Sequence, residues 1–437
     1  MVMKRIFQFW LATAFCVLAV PAIAQSYNVQ CPAATPQHPR PRCMHLSGGD
    51  GFVTMADSSA PTYMFGFSSL CRRADGSACL DFTLTNNAVG NAGETVSRGI
   101  VTPINTLNAG NSLLTDPAQI LEQGVLAANE SAPTIAVDED DDFYLTLSNV
   151  AMAMRPDLFD GHTVHWHGFA QAASVFDGLP DASIAVIPGA SITYYYKVAD
   201  AGTYMYHCHV EATEHMQMGM LGNLYVRPRQ NRLPEGSPLA GGFVHHTGYK
   251  YAYNDGDGST RYDVEYPIQM AGFDPDFHQA DLTFQPLPFS AMKDRYQLLN
   301  GRSYPDTIDL NVHYTVAANG VNHPSQPLNS LIRAQRGQRI LLRISNLSVT
   351  QFNTLATAGI PMRVVGVDAR LLRAGDGANL SYKTNSITIG GGQTIDVILD
   401  TTDVPAGTYF LYSTNLNQLA NDSTNFGGMM TEIRIRN

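Results

Sequence analysis

Residues Ala201-Gly202-Thr203-Tyr204-Met205-Tyr206-His207-Cys208-His209 read as one strand closing on an unusual triplet. Successive side chains of a strand point to opposite faces of its sheet. Cys208 therefore faces one way, and His207 and His209 face the other. The chain continues through His215, Met216, Met218 and Met220, while His162, His165 and His167 lie close together upstream around Trp166. The same Ala-Gly-Thr-Tyr phrase returns at Ala406-Gly407-Thr408-Tyr409, again after a strand and a polar turn. Matching strands flank the two copies, which points to a duplicated β-sandwich. Tyr412, Ser413 and Thr414 stand in the second copy where His207, Cys208 and His209 stand in the first.

Thiolate, thioether and imidazole together are the soft ligands that copper prefers. His162, Cys208, His215 and Met220 match a blue-copper set of two imidazoles, one thiolate and a weak axial thioether, with Met218 competing for the axial place. Zinc is the alternative ion, but a thioether is a poor zinc ligand. His165, His167, His207 and His209 form a second, all-imidazole set. An electron arriving at Cys208 would reach that set through the bonds of a single strand. Taken singly, each histidine reads as a hydrogen-bonded core residue and each methionine as packing; their convergence in two short motifs argues otherwise.

Short strands carry most of the chain. Pro133–Val137, Phe143–Ser148, Thr163–His167, Ile184–Ile187, Ser191–Val198, Thr203–His209 and Leu221–Val226 are expected in the first half. Gln338–Ser345, Met362–Val367, Ser386–Ile389, Thr394–Leu399 and Thr408–Ser413 are expected in the second. Residues 1–24 have the form of a signal peptide: Lys4-Arg5, an apolar run from Ile6 to Val20, then Ala22-Ile23-Ala24. A periplasmic or secreted protein is the expectation. An extended arm (25–45) should precede a copper-binding domain (46–228) interrupted by a loop-rich insertion (71–120) with a marginal strand at Leu80–Thr85. A linker (229–238) then leads to a second domain (239–437) without copper ligands. Gly51–Phe67 suits one or two further strands.

Charge and cysteines narrow the setting. The net charge of −11 argues against nucleic acid or an anionic membrane as the main partner. Of the six cysteines, Cys16 lies in the signal segment. Cys31, Cys43, Cys71 and Cys79 suit an oxidising compartment; local pairing predicts Cys31–Cys43 and Cys71–Cys79 among three possible connectivities. Cys208 is left over, as a metal ligand would be.

The motifs His162-x-x-His165-Trp166-His167-Gly168 and His207-Cys208-His209-x5-His215-x4-Met220 resemble those of multicopper oxidases, the laccase-like proteins. The likeness runs over about 130–228 and more faintly over 240–437. It implies an all-β protein of two cupredoxin-like Greek-key sandwiches. His162, Cys208, His215 and Met220 would hold type 1 copper, His165 type 2 copper, and His167, His207 and His209 type 3 copper. Asp177, in Phe176-Asp177-Gly178-Leu179-Pro180, resembles the family's acidic residue near the cluster, and equally suits an ordinary Asp-Gly turn. The implied reaction takes electrons from a small molecule or redox protein and reduces O2.

Two departures stand out. Six residues separate Cys208 from His215, where laccases usually have four, and this longer loop partly resembles copper nitrite reductases. Those enzymes, however, carry Asp where this chain has His165. A three-copper cluster also needs eight imidazoles, and the first domain offers four. His245, His246, His278, His313 and His323 follow the linker with no His-x-His spacing. The second site then holds one or two coppers, or a neighbouring subunit completes it, as in a homotrimer, with His245-His246 the first pair to consider. A nitrite reductase-like enzyme and a non-enzymatic blue-copper carrier are the other readings.

Overall fold

The computed structural model describes residues 27–57, 60–72, 83–85, 95–97, 100–101 and 112–437. The signal segment, Cys79 and most of the 71–120 insertion lie outside them. Thr83–Thr85, within the strand expected at Leu80–Thr85, pairs with Thr95–Ser97.

The first domain is two packed sheets. One runs in the order Ser191–Lys197, Asp142–Asn149, Pro41–Val53, Thr62–Ser69. The other runs His165–His167, Gly202–His207, Leu221–Arg227, Thr134–Asp138, Ile100–Val101. Most neighbours are antiparallel, but Pro41–Val53 lies parallel to Asp142–Asn149, and Leu221–Arg227 parallel to Thr134–Asp138. Such parallel pairs need long crossovers between sheets. The arm expected at 25–45 is shorter than its composition suggests: the ladder with Asp142–Asn149 takes up the chain from Pro41. Cys43, in this strand, is bonded to Cys31 as expected; Cys71 is also disulfide-bonded.

The second domain repeats the scheme around Gly407–Ser413. That strand is antiparallel to Met430–Arg436, which is parallel to Ile332–Gln335, as Gly202–His207 is to Leu221–Arg227 and Thr134–Asp138. Asn353–Thr357 flanks it where His165–His167 flanks the first copy. Opposite-strand partners His165 and His207 correspond to Ala356 and Tyr412.

Gly202–His207 is buried on both faces, and its alternation divides two environments. Tyr204, Tyr206 and Cys208 enter the first domain's core with Trp166, Tyr196 and Phe143. Trp166 and Tyr196 stack at 3.9 Å between ring centres, a rigid base for the histidines either side of Trp166. Thr203 and Met205 face the second domain. The Thr203 hydroxyl donates to Asp396 at 2.5 Å, Thr394 Oγ1 donates to the Thr203 carbonyl at 2.7 Å, and Met205 packs with Leu298 and Leu347. The period-two pattern thus places Cys208 in a domain core and its neighbours at a domain junction.

Four stretches differ from the sequence expectation. Ladder pairing in Thr163–His167 is limited to His165–His167, and Ile184–Ile187 reduces to one bridge between Val186 and His162. Pro117–Gly124 is a helix, begun by Asp116, whose side chain accepts from the Ala118 and Gln119 N–H groups, with Pro at the first turn. Residues 229–238 are anchored: Arg232 donates to the Glu139 carbonyl at 2.9 Å, and the Gln230 side chain bonds Asp255. Among the described residues no helix is long and apolar enough to cross a membrane.

Candidate metal centre

His162 is fixed by its backbone, which exchanges hydrogen bonds of 3.0 and 2.8 Å with Val186. Cys208 is fixed by the strand end, its N–H donating to the Met220 carbonyl at 3.1 Å. His215 arrives on a short helix, Ala212–Gln217, which begins after Glu211 at positive φ. The two extra residues between Cys208 and His215 are accommodated by this helical turn. His215 N–H donates to the Glu211 carbonyl at 3.0 Å, and Met220 N–H to the His215 carbonyl at 2.8 Å.

His162, Cys208 and His215 are each fully buried and offer ligand atoms all within 4.8 Å of one another. His215 Nδ1 sits 3.2 Å from Cys208 Sγ, and the Thr163 N–H donates to the same sulfur at 3.4 Å. Neither ring nitrogen of His162 makes a hydrogen bond, and His215 Nε2 has only the Asp160 carboxylate nearby, at 3.7 Å. Buried polar atoms normally find a hydrogen bond, so these orphans fit residues waiting on an ion. Burial pushes the Cys208 thiol up, but His215 and His162 beside it prevail and hold it well below its ordinary range. The thiolate is the form that binds metal. Met218 and Met220 both belong to the core cluster that contains Cys208, so each remains an axial candidate.

Across the strand, His165, His167 and His207 form a second group whose ligand atoms also lie within 4.8 Å of one another. His165 Nδ1–H donates to the Asp177 carbonyl at 2.5 Å, and His207 Nδ1–H donates to the Cys208 carbonyl at 2.8 Å. Each carbonyl thereby fixes its ring through Nδ1 and leaves Nε2 as the nitrogen turned toward a ligand site, the arrangement of a metal-binding histidine. His167 Nδ1 lies 3.4 Å from His207 Nε2. His209 stands beside them, 5.1 Å from the His165 ring and 5.4 Å from the His207 ring. Burial lowers the His165 and His167 pKa values and pushes that of His207 down to about 3, so the rings stay neutral and able to ligate.

Asp177 combines both readings suggested by its sequence. Its carbonyl orients His165 and its carboxylate lies 3.6 Å from the same nitrogen. It also precedes a turn at Gly178, where φ is +80° and a Cβ would fall 2.5 Å from the Val164 carbonyl oxygen. Asp160 escaped the sequence reading. Its Oδ2 lies 3.7 Å from His215 Nε2, and its nearness to His162 in the chain was the available signal. His245 and His246 do not join either group among the described residues. His245 Nδ1 pairs with the Tyr251 hydroxyl at 2.9 Å and His246 Nδ1 with Glu235 at 2.6 Å.

The imidazole group opens onto a cleft of about 710 Å³ whose far wall is the second domain, through 347–352 and 390–393. Gly392 comes near His167: a Cβ there would lie 3.2 Å from His167 Nε2, and its φ is +85°.

Comparison with known proteins agrees with this geometry. Family models described as multicopper oxidase match residues 115–231 and 290–431, together more than half the chain. A multicopper oxidase of Talaromyces pinophilus is 37% identical over 101 residues, 23% of this chain and 15% of that protein. A laccase of Ustilaginoidea virens is 36% identical over 101 residues, 23% of this chain and 14% of its own length. The matched stretch is thus a small part of either relative. The fold resembles that of a blue copper oxidase from Nitrosomonas europaea, with a TM-score of 0.56, 21% identity and coverage of 90% of this chain and 86% of that one. Multicopper oxidases are oxidoreductases that use copper ions, and the two histidine groups found here fit that metal. With both halves matched to the same family and the ligand groups in place, the chain belongs to the multicopper oxidase family.

Proposed function

We propose that this protein is an exported copper-dependent oxidoreductase that takes electrons at His162, Cys208 and His215 and delivers them across one strand to the His165, His167, His207 and His209 set. The observation that carries this reading is the alternation itself. Cys208 lies among core side chains with two imidazoles, while His207 and His209 on either side of it line the cleft together with His167. Copper at these positions would supply one-electron redox chemistry.

The chain's own residues do the rest. The buried Cys208 set excludes water from the thiolate, with Met218, Met220 and Phe65 packed around it. The bonds from Cys208 to His207 and His209 give the shortest covalent path between the two faces. That path is held still by the hydrogen bond from His207 Nδ1 to the Cys208 carbonyl and by the His209 N–H, which donates to the Thr163 hydroxyl at 3.0 Å. Asp177 orients His165, and the cleft admits a small acceptor. O2 is the acceptor this reading favours, with a small molecule or a redox protein as donor. The signal-like residues 1–24 support a periplasmic or secreted setting.

Nitrite is the competing acceptor, because the three converging imidazoles of the second group suit a single ion in an open pocket. An oxygen electrode separates the two. With a reducing phenol or ferrous ion as donor, O2 uptake should track donor oxidation. Donor oxidation that proceeds only when nitrite is added would reject the oxidase reading.

A further inference from the structure

We infer that the cleft group is a one-copper site with an open position, so that each chain carries two coppers in all; this rests on the copper-dependent oxidoreductase reading above, with either O2 or nitrite as acceptor. The donors decide it. His165 has Nδ1 committed to Asp177, His207 has Nδ1 committed to Cys208, and His167 turns Nδ1 toward His207. Each of the three rings still offers one nitrogen to a group whose ligand atoms lie within 4.8 Å of one another. His209 is the single imidazole left beside them, and one imidazole does not hold a further copper, which takes about three or four donors.

Most of the other histidines are held by partners of their own. All thirteen histidines lie among the described residues. Outside the two groups, His45 bonds the Leu114 carbonyl and Ser148, His278 bonds the Tyr63 and Gln217 carbonyls, and His313 lies between Asp306 and Asp309. His38 is held by Asp142 and His246 by Glu235, and His245 is buried against Tyr251. His323 is isolated on Asn322–Gln326, a strand of a separate two-stranded ladder. Apart from His245 and His246, whose Nδ1 atoms are paired with Tyr251 and Glu235, a second copy of the chain would bring only single imidazoles to the cleft.

The second domain closes the same door from within. Its counterparts of His165 and His207 are Ala356 and Tyr412, and its wall of the cleft sets Thr350, Gln351 and Gly392 beside the apolar Leu347, Val349 and Phe352, with no imidazole. The open position of the site faces this wall across about 710 Å³, room for a small oxygen- or nitrogen-donor molecule.

The test is copper content and electron paramagnetic resonance on the full-length, copper-loaded protein, with azide as the probe of the open position. Two coppers per chain are expected, half in a blue signal and half in an ordinary signal that azide shifts while the blue band stays. His167→Ala should lower the count to one with the blue band intact, and His246→Ala should leave it at two. Four coppers per chain would overturn the inference, as would a single copper with a normal blue band. An azide-insensitive second signal would overturn the open position. Loss of the blue signal in the unmodified protein would reject the proposed function instead, so the two failures are distinct.

Discussion

Cys208→Ser is expected to abolish the intense visible absorption of the copper-loaded protein, to lower its copper content by one per chain, and to reduce donor oxidation by more than about 100-fold. Changes to residues that merely orient ligands cost about 10–100-fold in metal affinity or activity, and this substitution removes a ligand. The band arises from charge transfer between thiolate and copper, which a serine oxygen cannot reproduce. Structure should survive, because serine is close to cysteine in size and the Thr163 N–H can donate to its oxygen. Unchanged thermal unfolding alongside a colourless protein would establish that the loss is chemical. A blue band in the variant would exclude Cys208 as the ligand.

Arg343→Ala is expected to destabilise the protein by about 3–5 kcal/mol, the cost of stripping one partner from a buried ion pair. The Arg343 side chain is 0% exposed; it bonds Glu265 at 3.0 Å and lies 3.8 Å from Asp396, itself 1% exposed. Removing the guanidinium leaves the buried Asp396 without its cation and Glu265 with Arg227 alone, at 3.4 Å, and opens a cavity over the Tyr225 ring, 4.8 Å from Arg343 Cζ. Asp396 is also the residue that accepts from Thr203, so the damage lands on the strand that ends in Cys208. Denaturant unfolding measures the loss. Arg343→Met combined with Glu265→Gln should be milder than Arg343→Ala, because it removes both charges of the closest pair and keeps the volume. Equal losses in the two variants would mean that neither the stranded Glu265 charge nor the lost volume sets the cost.

The division between Cys208 and its neighbouring histidines was legible because strand alternation is a local rule, and a strand needs only its own residues to announce it. The two-domain plan was legible for a related reason: Ala201-Gly202-Thr203-Tyr204 and Ala406-Gly407-Thr408-Tyr409 begin equivalent strands with equivalent partners. Cys31–Cys43, twelve residues apart, was within reach of a local guess. What escaped depended on distance in the chain. The Asp160 contact with His215 and the approach of Gly392 to His167 exist only after the sandwich and the domain junction have formed. The helical turn between Cys208 and His215 was missed because six residues rich in acid and imidazole carry no clear apolar period. Its start is a positive-φ Glu211, a conformation that side chain does not advertise.

Whether electrons cross from Cys208 to the cleft through the flanking histidines is tested most directly by stopped-flow absorbance of anaerobically reduced, copper-loaded protein mixed with O2. The unmodified protein should regain its blue band. His165→Ala retains His162, Cys208 and His215, so it should be blue when oxidised, yet after reduction it should recover its colour at least about 100-fold more slowly. Recovery of the variant at the unmodified rate would contradict the proposed route.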